Sequence, residues 1–179
     1  MLALITGGSG SGKSAWAEGL VMALCPGEKI YWATMAPGGA EADKRIARHR
    51  ALRAGKGFST LECPGIPDPA DIPAGSTVLL EDLSNLLANA LFSPRPPQDP
   101  AAAVLEGLDA LLPRCGHLII VSNEIFSDGR SYDPDTIAFM TALAALNREL
   151  ARRADLVAEV VCGLPLVLKG ALPPCEIPS

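Results

Sequence analysis

The chain is expected to fold as a three-layer α/β sandwich on a mostly parallel sheet with an antiparallel edge, and three observations carry that expectation. Short apolar runs alternate with helix-length segments through short connections. The first run feeds a glycine-rich loop that opens directly into a helical pattern. The last two runs, Leu156–Cys162 and Leu164–Leu168, flank Gly163 closely enough to form a hairpin.

Leu2, Leu4 and Ile5 form the first buried strand. Gly7, Gly8, Ser9, Gly10, Ser11, Gly12, Lys13 and Ser14 follow, matching G-x-x-x-x-G-K-[ST]. The glycines permit a tight loop whose backbone N–H groups turn toward an anion. Lys13 can neutralise the outer phosphates, and the Ser14 hydroxyl can sit on Mg²⁺. Residues 13–24 read as a helix with its positive end at the phosphates. A flexible Gly/Ser linker would not have an apolar strand before it, a helix after it, and Lys-Ser in this register. The fold class is therefore a P-loop NTPase sandwich of RecA-like type, binding a nucleoside triphosphate.

Lys29–Ala33 is the second strand, after a Pro26-Gly27 turn. Thr34, Met35 and Ala36 begin the loop at its carboxyl end, where parallel sheets place ligands; an ordinary connection is the alternative. Residues 40–54 read as a helix carrying Lys44, Arg45, Arg48, His49, Arg50 and Arg53. Arg45, His49 and Arg53 share one face. A solvated basic surface is the usual meaning of such a run. Beside a phosphate loop a second meaning arises: neighbouring cations disfavour imidazolium, leaving His49 neutral and nucleophilic, while the arginines hold a triphosphate.

Phe58–Glu62 is a short strand, followed by Cys63 and a proline-rich loop through Pro73. Thr77–Leu80 is a buried strand that delivers Glu81-Asp82 at its carboxyl end. One of these acids can reach Mg²⁺ directly or through water. Leu83–Phe92 is helical, Ser93–Pro100 is a proline-rich surface loop, and Ala101–Leu112 is a helix. His117–Ser122 is another buried strand ending at Asn123-Glu124. His117 lies at its far end and reads as structural. Ile125–Asp133 is a polar loop that could close over substrate. Asp133-Pro134 starts a helix with the apolar stripe Ile137, Met140, Leu143, Leu146 and Leu150, beside which Asn147 reads as a core amide or a ligand. The ordered domain is expected to span residues 1–170, with 171–179 a frayed tail.

A net charge of −5 argues against nucleic-acid binding by bulk electrostatics. Cys25, Cys63, Cys115, Cys162 and Cys175 form no C-x-x-C pair and suit a reducing compartment. No signal-peptide pattern or transmembrane stretch is visible, so a cytoplasmic location is expected.

These motifs together resemble the bifunctional adenosylcobinamide kinase / adenosylcobinamide-phosphate guanylyltransferase family of cobalamin biosynthesis. The resemblance runs from Ile5 to Gly170. It rests on Thr6-Gly7-Gly8 with Ser11-Gly12-Lys13-Ser14, Tyr31, Ala33-Thr34, Arg45-Ile46 leading to His49-Arg50, and Thr60 with Glu62. It continues with Leu79-Leu80-Glu81, Asn89, Leu91-Phe92, Val121 with Asn123-Glu124, and Leu146-Asn147 with Leu150-Ala151. The P-loop is widely shared, whereas the Arg-Ile-x-x-His helix combined with the Asn-Glu strand end is far more specific.

The resemblance implies that His49 becomes guanylylated by GTP and that Lys13 assists. It implies nucleotide contacts at Gly7–Ser14, Thr34, Met35, Ala36, Arg50, Ala51, Leu52, Arg53, Glu62 and Glu81, with Ser14 and Glu81 at Mg²⁺. It further implies GTP or ATP as co-substrate, a corrinoid acceptor and a homotrimer. The chain departs from the family pattern at Gly10, where many members carry arginine, and at Arg48, where many carry a second histidine. Two rival functions stay open: a simple small-molecule kinase in which His49 only binds phosphate, and a nucleotide-gated regulatory module.

Overall fold

The computed structural model describes residues 1–24, 27–35, 55–127 and 129–174. Among these residues seven strands form one sheet: β1 (Leu2–Thr6), β2 (Lys29–Ala33), β3 (Phe58–Glu62), β4 (Thr77–Glu81), β5 (His117–Val121), β6 (Leu156–Val161) and β7 (Leu164–Lys169). Among the described residues four helices accompany it: α1 (Lys13–Leu24), α2 (Leu83–Leu91), α3 (Pro100–Leu111) and α4 (Pro134–Arg153). The spatial order is β3-β2-β4-β5-β1-β6-β7. Every neighbouring pair is parallel except β6 with β7. This is the expected P-loop sandwich with its antiparallel edge.

Alternation along each strand sorts side chains onto two faces. Ala3, Ile5, Tyr31, Leu79, Ile119 and Val121 meet Trp16, Ala17, Leu20 and Val21 of α1 on one face. Leu2, Leu4, Trp32, Val78, Leu80, Leu118 and Ile120 meet α2, α3 and α4 on the other. Both faces are covered, so the central strands can be apolar at nearly every position. The packing also fixes the site, because all parallel strands present their carboxyl ends along one edge of the sheet.

Element ends follow local chemistry. Asp82, Asp99 and Asp133 cap α2, α3 and α4, each accepting a backbone N–H three residues on. Two expectations need correction here. Pro100 belongs to helix α3 and not to the preceding loop, because proline at the first helical position lacks only an N–H that would have no partner anyway. The stripe on α4 is buried at Leu143, Leu146 and Leu150 but emerges at Ile137, which is 52% exposed, since the first turns of α4 run past the core. A single 3₁₀ turn, Pro69–Asp71, also interrupts the proline-rich loop.

Other readings stand. Ser122 donates to Asn147 Oδ1 at 2.7 Å, so the amide oxygen is engaged within the fold. His117 lies at the start of β5, where burial, and then the nearby N-terminal ammonium, push its pKa down. The 40–54 helix, Pro26 of the turn and residues 175–179 of the tail lie outside the described residues.

The two-faced core predicts a sharp contrast in stability. Leu79→Ala, at a fully buried position of β4, should destabilise by about 2–5 kcal/mol. Leu164→Ala, at a position 72% exposed on β7, should stay within about 0.5 kcal/mol of wild type. Urea denaturation of both variants measures the difference.

Candidate active site

Residues 7–12 link β1 to α1 as a loop shaped by its glycines. Gly7 has φ +155°, and a Cβ there would lie 2.6 Å from both the Val160 carbonyl and Ser11 Oγ. Gly12 has φ +89°, and its Cβ would lie 3.0 Å from Gly163 Cα. That second approach comes from the β6–β7 turn, whose Gly163 N–H donates to the Ser11 carbonyl at 2.8 Å. The hairpin therefore braces the phosphate loop from one side. From the other, the Glu124 N–H donates to the Gly7 carbonyl at 3.0 Å. Gly8 and Gly10 face open space, and Ser9 and Gly10 are exposed. Lys13 is buried and folds back over the loop, its ammonium donating to the Gly8 carbonyl at 3.1 Å.

β5 separates the phosphate-loop strand β1 from the acid-bearing strand β4. The first turn of α1 spans that gap: Ser14 Oγ donates to Glu81 Oε1 at 2.6 Å. Glu81 as a residue is only partly buried, but its second oxygen, Oε2, is out of solvent and has no partner among the described residues. Burial pushes the Glu81 pKa up to about 7. The Ser14 hydrogen bond opposes this, Asp82 adds to it, Lys13 opposes it, and Glu18 adds to it. A carboxylate held beside the P-loop serine, with one oxygen lacking a partner, is a donor set that fits Mg²⁺. Among the described residues no cluster of three or more His, Cys, Asp or Glu side chains forms a cage of its own.

Asp82 plays a different part from its neighbour. Its side chain caps α2 and takes a 3.2 Å hydrogen bond from Asn123, which also donates to Ser84 Oγ. Thr34 is fully buried, and its hydroxyl both donates to the Asp82 carbonyl and accepts the Asp82 N–H, each at 2.8 Å. Asn89 then donates to the Thr34 carbonyl at 2.8 Å and to that of Pro64 at 2.9 Å. These bonds lock the carboxyl ends of β2 and β4 together. In register, Ala33 stands between Glu62 of β3 and Glu81 of β4. Met35 continues from Thr34, partly buried.

The structure thus gathers Gly7–Ser14, Thr34, Met35, Glu62 and Glu81 along one edge of the sheet. Ala36, His49, Arg50, Ala51, Leu52 and Arg53 lie outside the described residues. The sequence reading did not find the Gly163 brace, because nothing local marks a contact so distant along the chain. It also missed Glu18, a buried acid on α1 paired with Lys56. The sequence signal for that pair was a charge amid the apolar residues of α1.

Phosphate loop, the acid at the end of β4 and the parallel sheet together define a P-loop nucleotide-binding protein of the α/β class. Comparison with known proteins narrows this. Residues 3–168 match the family described as cobinamide kinase / cobinamide phosphate guanyltransferase. The bifunctional adenosylcobalamin biosynthesis protein CobP of Pseudomonas aeruginosa is 34% identical over 173 residues, covering 93% of this chain and 96% of its own. The bifunctional adenosylcobalamin biosynthesis protein CobU of Escherichia coli K12 is 30% identical over 187 residues, covering 94% and 100%. The chain belongs to the cobinamide kinase / cobinamide phosphate guanyltransferase family, and is an enzyme. Among solved structures, the P4 protein of bacteriophage phi6 in complex with ADP aligns over 92% of this chain and 53% of its own, at 12% identity and a TM-score of 0.38.

The raised pKa of Glu81 gives a testable pH dependence. Between the ordinary carboxyl value of 4.5 and about 7, the folded protein binds more protons than the unfolded chain. Stability therefore falls as pH rises through that window and levels off above it. Glu81→Gln should flatten this slope, as measured by urea midpoints from pH 4.5 to 8 in the absence of nucleotide and divalent cation.

Proposed function

We propose that this protein phosphorylates the aminopropanol hydroxyl of adenosylcobinamide and then transfers GMP from GTP to the resulting phosphate, giving adenosylcobinamide-GDP. In the kinase step the hydroxyl oxygen bonds to the γ-phosphorus of ATP or GTP. The β–γ bridge breaks, the nucleoside diphosphate leaves, and the hydroxyl proton passes to solvent or a base. In the second reaction a neutral His49 nitrogen attacks the α-phosphorus of GTP and pyrophosphate leaves. An oxygen of the corrinoid phosphate then attacks that phosphorus, the P–N bond breaks and the imidazole is freed. Arginines beside His49 suit this role, because they disfavour the imidazolium form and attract the triphosphate.

In this reading Gly7–Ser14 cradle the phosphates through backbone N–H groups, and Lys13 exchanges the Gly8 carbonyl for a phosphate oxygen. Thr34, Met35, Ala36, Arg50, Ala51, Leu52, Arg53, Glu62 and Glu81 complete the nucleotide site. Ser14 and Glu81 would hold Mg²⁺, which offsets charge on the transferring phosphates. Residues 1–170 act as one catalytic domain with a short tail, in a cytoplasmic homotrimer. Among the described residues no helix is long and apolar enough to cross a membrane.

The observation that most supports this reading is the 2.6 Å Ser14–Glu81 contact at the P-loop, in a chain whose curated relatives are named as bifunctional adenosylcobalamin biosynthesis proteins. Intact-mass spectrometry after incubation with GTP and Mg²⁺ tests it. The wild type should gain one GMP, and His49→Ala should gain none. Absence of an adduct where GTP demonstrably binds would leave a kinase at most.

A further inference from the structure

A groove of about 420 Å³ lies between the 125–133 loop and the first turns of α4. Phe126, Ile137 and Met140 give it an apolar wall, and Arg130, Tyr132 and Thr141 line it with polar groups. Phe126 is 40% exposed and Ile137 is 52% exposed, so the core leaves these apolar surfaces to solvent. Ile137 sits on the same stripe as Leu143, Leu146 and Leu150, which are buried. The helix therefore carries its apolar face beyond the core and into this groove.

The groove is tied to the phosphate loop. Glu124 donates its N–H to the Gly7 carbonyl, and its carboxylate accepts from the Phe126 N–H and Ser127 Oγ, both at 2.9 Å. Two residues of chain span at most about 7 Å, so the near end of the groove opens beside the nucleotide site. A small hydroxylated acceptor would need neither an exposed apolar wall nor so open a trough. An acceptor with a broad apolar face and a rim of hydrogen-bonding groups would use both. Arg130, Tyr132 and Thr141 give that rim groups able to hydrogen-bond peripheral amides.

We propose that this groove holds the corrinoid acceptor, with its ring edge on Phe126, Ile137 and Met140, its peripheral amides toward the polar rim of Arg130, Tyr132 and Thr141, and its reacting hydroxyl or phosphate toward the phosphate loop. The inference rests on the corrinoid being the acceptor at this site. It predicts that side chains distant in sequence from the nucleotide contacts control corrinoid affinity alone.

Equilibrium dialysis with adenosylcobinamide, read by its visible absorbance, tests this on Ile137→Asp and Phe126→Ala. Ile137→Asp lies in the amino-terminal part of α4, where an acid suits the helix dipole, and circular dichroism confirms that each variant folds. Corrinoid affinity should fall at least tenfold in Ile137→Asp and several-fold in Phe126→Ala, with GTP affinity within twofold of wild type. Unchanged corrinoid affinity in both folded variants would overturn the proposal. A lower sedimentation coefficient with corrinoid affinity intact would assign the groove to a second copy of the chain instead. A wild type that binds GTP but no adenosylcobinamide would overturn the function itself, and with it the occupant.

Discussion

The hydrogen bond from Ser14 to Glu81 is the constraint on which the site depends. It joins the start of α1 to the end of β4 across the intervening β5. It can form only if β1, β5 and β4 keep their register and α1 packs flat on the sheet. Trp16, Ala17, Leu20 and Val21 enforce that packing from the helix, and Ile5, Leu79 and Ile119 enforce it from the strands. The apolar core thus acts on function through one polar contact. Its cost is visible in Glu81 itself, whose carboxyl is pushed toward neutrality by burial. A divalent cation and nucleotide phosphates would supply the positive charge and ligands that such a group lacks.

Around this contact the structure is organised as a set of braces. Thr34 clamps β2 to β4 through the Asp82 backbone, and Asn89 holds the Thr34 and Pro64 carbonyls. Asn123 ties the end of β5 to Asp82 and Ser84. Gly163 and Glu124 hold the phosphate loop from its two flanks. None of these bonds contributes much energy by itself, about 1 kcal/mol each. Together they leave little freedom for the loop and the strand ends to rearrange when phosphates arrive, which is what electrostatic preorganisation requires.

Much of this was legible in the sequence because it is local. Strand, glycine loop, lysine, serine and helix are contiguous, and the Thr77–Leu80 run shows both its burial and the acids Glu81-Asp82 at its end. The antiparallel edge was legible from Gly163 between two apolar runs. What could not be read was whatever depends on register between distant segments. Glu81 and Asp82 are adjacent and chemically alike, yet one meets Ser14 and the other caps α2. Thr34 reads as a loop residue but is fully buried, with its hydroxyl committed to backbone groups of Asp82. Periodicity marks Ile137 as core, whereas the helix simply extends past the sheet. Pro100 misleads because proline ends a loop and begins a helix with the same fixed φ.

The central claim is that the Ser14–Glu81 pair forms the metal end of the nucleotide site. Calorimetry tests it most directly, using a GTP analogue with a methylene bridge between the α and β phosphates over a range of Mg²⁺ concentrations. Wild-type affinity should rise at least tenfold with Mg²⁺, and that rise should be largely lost in Ser14→Ala and Glu81→Gln. Variants that bind the analogue with the full wild-type Mg²⁺ dependence would contradict the account.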